Sequence, residues 1–264
     1  MNATSESLLA ADEPAPVTVH NENGLSPFLI VVDHASNSIP RALAGLGVPE
    51  AELERHIAWD IGVAAVSRFL ADALDATLAQ QNYSRLVIDC NRAPGLPTSI
   101  PEISESTLIP GNIGLSEGAK EARRREIFQP YHDRINAELD RRRQEGRQAV
   151  LIAMHSFTPV FLSSARPWQA AVLYNRDPRF AKRLMASLRD EELVVGDNEP
   201  YSVSDETDYT IPIHGERRGL LHVEIEIRQD LIESESGQRA WGARLARLLP
   251  QAHQQLVAAA LRPE

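Results

Sequence analysis

The sequence predicts a single α/β domain built on a mixed, mostly parallel sheet flanked by helices, and three observations predict it. Apolar runs of strand length alternate with amphipathic stretches of helical length, the order that α/β folds show. Most of the apolar runs are rich in Val, Ile and Leu and hardly alternate, as expected when both faces of a sheet are covered. The 264 residues are enough to bury one large core, and no stretch reads as a linker: Pro159 and Pro167 mark only a short irregular segment.

In chain order, residues 1–16 (MNATSESLLAADEPAP) lack a basic start and a long apolar core, and are expected to form a flexible tail ahead of a domain over 17–264. The first strand is PFLIVVDH (27–34). Pro49 suits the first position of a helix over 50–58, and Asp60 stands where an N-cap would open a helix over 60–75. RLVIDC (85–90) reads as the next strand, followed by a loop over 91–115 with four prolines. A polar helix over 116–145 leads to the strands AVLIAMH (149–155) and AAVLYN (170–175) and a helix over 178–189. After a second long segment, 196–219, come the strand LLHVEIEIR (220–228) and a helix over 236–260. Long segments in a compact domain tend to carry function. Here DNEPYS (197–202) and DYTIPIHGERRG (208–219) are placed to close over a substrate.

Charge and cysteine usage exclude several classes. With 27 basic and 37 acidic side chains, the formal charge of −10 argues against nucleic-acid and anionic-membrane partners. The runs Arg123-Arg124-Arg125 and Arg141-Arg142-Arg143 are expected to be solvated helix faces with acidic neighbours. The single Cys90 excludes an internal disulfide and a multi-cysteine zinc site, which fits a reducing compartment, so a cytoplasmic location is expected. No run approaches the roughly 18 apolar residues of a membrane span.

Function is suggested by where the polar residues fall. In open α/β sheets, ligands bind beyond the carboxyl ends of the strands. Asp33 and His34 end the first strand, with Ser36 and Asn37 close behind. Asp89, Asn91 and Arg92 follow the second, and His155 and Ser156 the third. Glu224, Glu226 and Arg228 share one face of the last. Each has an ordinary structural explanation, as a capping aspartate, a hydrogen-bonded histidine or an edge-strand glutamate, but their conjunction at one edge points to a catalytic metal site. Two neutral imidazoles and a carboxylate make a three-ligand zinc site that brings the pKa of water to about 7. A second carboxylate can move that water's proton to a leaving nitrogen, and an arginine fork can hold a substrate carboxylate. Cys90 reads as a buried thiol, and His214 and His222 as residues near the site or at the surface. No Gly-rich phosphate loop, GxSxG elbow or HExxH helix competes.

The motifs DHASNSIP, WDIG, RLVIDCNR, LIAMHSFTP, NEPY and VEIEIRQDL, in this order, resemble the N-formylglutamate amidohydrolase family over roughly residues 26 to 235. That family is related to the zinc carboxypeptidases. The resemblance implies a zinc-carboxypeptidase-like (phosphorylase/hydrolase-like) fold and an enzyme that removes a small N-acyl group, such as formyl, from an acidic amino acid such as N-formylglutamate, by zinc-activated water and a glutamate base. It makes His34 and His155 zinc ligands, Asn91 and Arg92 binders of the substrate carboxylate, and Glu226 the general base, with Glu224 the alternative. Ser156 and Arg228 join the substrate-binding candidates. One position departs. Zinc carboxypeptidases carry a carboxylate ligand three residues after the first histidine, where this chain has Asn37, a poor ligand for zinc. The third ligand is therefore open among Asp60, which is preferred, Asn37 and Asp33. Manganese, iron or cobalt suit such donors too. A carboxypeptidase, an N-acyl amino-acid deacylase and a non-catalytic binding protein on the same scaffold stand as alternatives.

Overall fold

The computed structural model describes residues 7–260. Seven strands form one sheet: β1 (Val17–His20), β2 (Phe28–Val32), β3 (Thr77–Gln81), β4 (Val150–Phe157), β5 (Ala170–Leu173), β6 (Val195–Asp197) and β7 (Leu221–Arg228). Their spatial order is β1-β3-β2-β4-β7-β5-β6. The central strands β3, β2, β4 and β7 run parallel, while β1 pairs antiparallel with β3 and β5 pairs antiparallel with β7. The expected single α/β domain with a mixed, mostly parallel sheet is the architecture observed.

The near-continuous apolar strands are explained by helices on both faces. On one side Ile30 and Val32 of β2 pack with Val66 and Leu70 of α1 (Val63–Leu74), Phe180 and Leu184 of α2 (Arg179–Arg189) and Leu245 of α3 (Glu235–Ala260). Across the sheet, Leu29 and Val31 pack with Ile127, Tyr131 and Ile135 of the helical stretch 117–144, which passes through a π-helical turn at Arg124–Phe128. No helix among the described residues is long and apolar enough to cross a membrane.

Several local expectations fail, each for a physical reason. RLVIDC is buried from Leu86 to Cys90, with Arg85 half-buried, but is not a strand. The position beside β2 is taken by β3, whose sequence TLAQQ looks too polar for an interior strand, although all five residues are buried. Gln80 Nε2 donates to Ala64 O at 3.0 Å, so a buried amide is satisfied there. Leu86, Val87 and Ile88 fill the second core as an irregular segment instead. The arginine runs are not wholly solvated, because one member of each turns toward the core and finds partners there. Arg123 and Arg142 are at most 1% exposed. Arg142 Nε pairs with Glu138 at 2.6 Å, and Arg123 Nη1 donates to Val87 O and Asn112 Oδ1. The expected tail lies partly outside the described residues, and its described part is tied down: Leu8 is buried, and Ser7 and Leu9 donate to Glu126.

The helix expected from Asp60 starts at Val63, and no side chain caps it. Gly62 stands at its N-cap in the left-handed region, φ 80°. A Cβ there would meet Ile232 O at 2.2 Å. Both constraints require glycine, so the WDIG turn that carries Asp60 is fixed by backbone geometry. Gly62→Ala is expected to destabilise the fold by about 3 kcal/mol in urea unfolding, from left-handed strain plus overpacking; a loss below about 0.5 kcal/mol would contradict this account.

Candidate active site

Three parallel strands deliver the site. His34 lies two residues beyond β2, while His155 of β4 and Glu226 of β7 are direct partners in the parallel register. The WDIG turn meets them from the side, its Asp60 N–H donating to His34 O at 2.9 Å. Asp60 is thereby carried to the histidines instead of capping a helix. Its Oδ2 lies 2.8 Å from His155 Nδ1 and 3.3 Å from His34 Nδ1. One donor atom from each of His34, Asp60 and His155 lies within 4.8 Å of the others, and all three side chains are buried.

The outer nitrogens of the two imidazoles also face carboxylates. Asp89 Oδ1 is 2.7 Å from His34 Nε2, and Asp33 Oδ2 is 3.3 Å from His155 Nε2. A carboxylate behind each imidazole, with the other nitrogen turned to a shared carboxylate oxygen, is the arrangement that orients histidine toward a metal. Arg85 holds Asp89 at 2.8 Å and Asp60 at 3.4 Å, and Thr210 Oγ1 donates to Asp33 Oδ1.

Charge gives an independent test of fit. Five carboxyl groups, from Asp33, Asp60, Asp89, Glu224 and Glu226, are buried around two imidazoles, and among the described residues Arg85 is the one guanidinium paired with them. Burial opposes ionisation of His34 and His155, yet Asp89 and Asp60 raise the first and Glu224, Asp33 and Asp60 raise the second well above the usual imidazole range. Despite burial, Asp60 is held far below the carboxylate range by the two histidines. Burial pushes Glu226 up to about 7 and lifts Glu224 well above the usual carboxylate range. The Oε2 atoms of both glutamates have no hydrogen-bond partner. Protons on the imidazoles thus do what a divalent cation would do in their place, so the donor set fits a metal by chemistry as well as by position.

A cavity of about 430 Å³ opens above this cluster. His34, Asp60, His155, Ser156, Asn91, Arg92, Glu224 and Glu226 all line it. The glutamates lie on an interior strand, between β4 and β5, not on an edge. Asn91 is closely engaged by the chain itself: its Nδ2 donates to Asp208, and its Oδ1 accepts from the Tyr209 and Thr210 amides. Arg92 Nη1 likewise turns to Thr207 O and Asp208. This clamp holds the segment from Pro200 to Asp208 over the cavity, as expected of the second long loop. Ser156 Oγ donates to Ile61 O.

Two candidates lie elsewhere. Asn37 turns away, with its Nδ2 donating to Leu53 O at 3.1 Å and to Glu54, and it does not line the cavity. Arg228 pairs with Asp230 at 2.8 Å and aims Nη1 at the carbonyls of Arg166, Pro167 and Trp168. His222 shares strand parity with Glu224 but sits near the start of β7, 3.7 Å from Glu216, outside the cavity. His214 is a core residue: its Nε2 lies 2.8 Å from His132 Nδ1, and burial lowers these two histidines to about 3 and about 4. Cys90 is buried, as expected. Sequence reasoning missed Arg85 and Tyr201. Arg85 opens the motif RLVIDCNR and Tyr201 ends the motif NEPY, so both stood in motifs already singled out without being named as site residues.

Comparison with known proteins follows the same direction. Residues 26–233 match the family model for N-formylglutamate amidohydrolase. An N-formylglutamate deformylase of Pseudomonas putida is 32% identical over 143 residues, covering 50% of this chain and 52% of that protein, so the match spans about half the length of that relative. Among solved structures, gene product Atu2144 from Agrobacterium tumefaciens superposes with a TM-score of 0.92 at 37% identity, over 94% of this chain and 99% of that one. The N-formylglutamate amidohydrolase from Ralstonia eutropha shares the fold, with a TM-score of 0.65 at 18% identity over 91% of this chain and 98% of that one.

The buried charges set a direction for pH. Between the ordinary glutamate value of 4.5 and about 7, the folded chain keeps a proton on Glu226 that the unfolded chain has lost, so its contribution to stability falls as pH rises through that window, opposed up to 6.5 by the lowered His132 and His214. The raised values of His34 and His155 act in the same sense, giving stability present below 6.5 and lost as pH climbs through their folded values. Metal-free protein is expected to melt at progressively lower temperature from about pH 6 upward, and equimolar zinc to restore the loss, most at high pH where imidazole protons are easiest to displace. A flat pH profile, unmoved by zinc in thermal melting, would contradict this.

Proposed function

The chain belongs to the N-formylglutamate amidohydrolase family, and from that premise we propose that it is a divalent-metal amidohydrolase, zinc in the first instance, that removes a formyl group from an acidic amino acid such as N-formylglutamate. The observation that carries this reading is the buried His34–Asp60–His155 donor set beside a glutamate of raised pKa. In the proposal these three residues hold the metal, with Asp60 filling the role that Asn37 cannot. When bound, such an ion supplies Lewis acidity and activates water at neutral pH. Asp89 and Asp33 fix the imidazole rings from behind.

The proton work belongs to the glutamates. Glu226, next to His155 across the β4–β7 pairing and buried with a bare Oε2, accepts the proton of the attacking water and returns it to the leaving amide nitrogen. A value near 7 suits both halves of that task. Glu224, one alternate position away and also raised by burial, belongs to the same wall. Arg92 and Ser156 are the proposed contacts for the amino-acid portion, Asn91 acting mainly through the loop it clamps. The cavity, at about 430 Å³, suits a small N-acyl amino acid better than a peptide. The catalytic unit in this reading is the domain over residues 17–264, working in the reducing cytoplasm that a lone buried thiol suits. A non-catalytic binding protein is the weaker reading, because the donor set is complete without Asn37.

Formate release from N-formylglutamate by the metal-replete protein is the expected activity. Glu226→Gln is expected to lower kcat by about 10²–10⁴-fold while metal content stays at one per chain. Full turnover in that variant would remove Glu226 as the base, and no formate release by the wild type, alongside release of another acyl group, would move the enzyme to the N-acyl amino-acid deacylases.

A further inference from the structure

Three arginines stand at or beside the cavity, and two of them already have an acidic partner. Arg85 pairs with Asp89 and Asp60, and Arg92 with Asp208. Arg166 is the third. It is 8% exposed, makes no ion pair among the described residues, and buries an Nη1 that has no hydrogen-bond partner. Its guanidinium is surrounded by aromatic rings: its central carbon lies 4.7 Å from the ring centre of Phe161, 4.8 Å from that of Tyr201 and 5.9 Å from that of Phe157. Phe157 and Tyr201 are walls of the cavity. Cation–π contacts offset part of the desolvation of a guanidinium, and the Tyr201 hydroxyl stands within reach of it, but Nη1 is left without an acceptor.

The surrounding chain keeps this cation in place. The Arg166 amide donates to Pro159 O at 2.8 Å, closing the small hairpin of Val160–Phe161 with Ser164–Ala165. Arg228, itself paired with Asp230, turns Nη1 to the carbonyls of residues 166 to 168. A buried positive charge with a free donor, held beside a cavity whose other arginines are engaged, calls for an anion from outside the chain.

We propose that Arg166 receives the side-chain carboxylate of the substrate and so selects acidic over neutral amino acids. The proposal rests on the reading that the substrate is an N-acyl amino acid, and it assigns the side-chain specificity of that substrate to one residue. Tyr201 is 43% exposed and lies in a stretch without regular secondary structure. A carboxylate reaching Nη1 from the cavity requires this ring to turn aside.

The test is the ratio of kcat/KM for N-formyl-L-glutamate to that for its neutral isostere N-formyl-L-glutamine, in wild type, Arg166→Gln and Arg166→Lys. The wild type is expected to prefer the acid by about 100-fold or more, Arg166→Gln to bring the ratio near one, chiefly through KM, and Arg166→Lys to fall between. Equal losses on both substrates, or an unchanged ratio in Arg166→Gln, would overturn the proposal, since a structural role lowers both rates together. Calorimetric binding of free L-glutamate against L-glutamine, on the same metal-replete proteins, separates this from failure of the deformylase reading. If neither formyl compound is turned over but glutamate is preferred and Arg166→Gln abolishes the preference, the carboxylate site stands and only the reaction falls. If the wild type shows no such preference, the site itself is wrong.

Discussion

Asp60 Oδ2, set between the Nδ1 atoms of two buried histidines, is the contact around which the rest of this structure is arranged. A carboxylate taken out of water is costly unless its charge is met on all sides. Here the imidazoles meet it, Asp89 and Asp33 meet the imidazoles, and Arg85 ties Asp60 to Asp89. Removing one member strands the others, so the cluster behaves as a unit. Its acids outnumber its fixed cations, which is why the histidines hold protons against burial and why a divalent cation would complete the group rather than intrude on it.

The fold supplies the precision this arrangement needs. Parallel strands end on the same side of a sheet, so His34, His155 and Glu226 arrive at one edge through backbone pairing instead of flexible loops. Helices cover both faces, which excludes water from beneath the site and raises the glutamate pKa values above it. Gly62 lets the chain turn tightly enough against Ile232 to bring Asp60 in from the side. The roof has a different origin. Asn91 anchors the loop through Asp208 to Thr210, and Arg228 steadies the segment that carries Arg166, so two residues expected to touch substrate shape the cavity partly or wholly through their neighbours.

What was legible in the sequence follows physical rules that act locally. Long apolar runs became β2, β4, β5 and β7, and the polar residues ending them converge as the strand-end rule requires. Asp60's place beside the two histidines was reachable, since Asn37 is the wrong chemistry for a metal ligand and Asp60 was the carboxylate preferred instead. Strand β3 was not, since its threonine and glutamines are buried by tertiary partners that no local pattern reveals. RLVIDC misled for the opposite reason: its apolarity reports burial, and burial does not require a ladder. Arg123 and Arg142 looked solvated because a run of charges hides which member faces inward. Arg228 pointed correctly out of its strand, but Asp230, two residues on, captures it. Glu224 and Glu226 share a face and both reach the cavity, so pattern alone leaves them equivalent, and only their surroundings distinguish them.

The most direct test of the central claim is an anomalous difference map, recorded at the zinc edge, from crystals of protein reconstituted with zinc. The account predicts a single strong peak bounded by Nδ1 of His34, Nδ1 of His155 and a carboxylate oxygen of Asp60, with Asp89 and Asp33 still behind the two rings. A peak held by Nε2 of either histidine, a peak elsewhere in the chain, or no peak at all would contradict it.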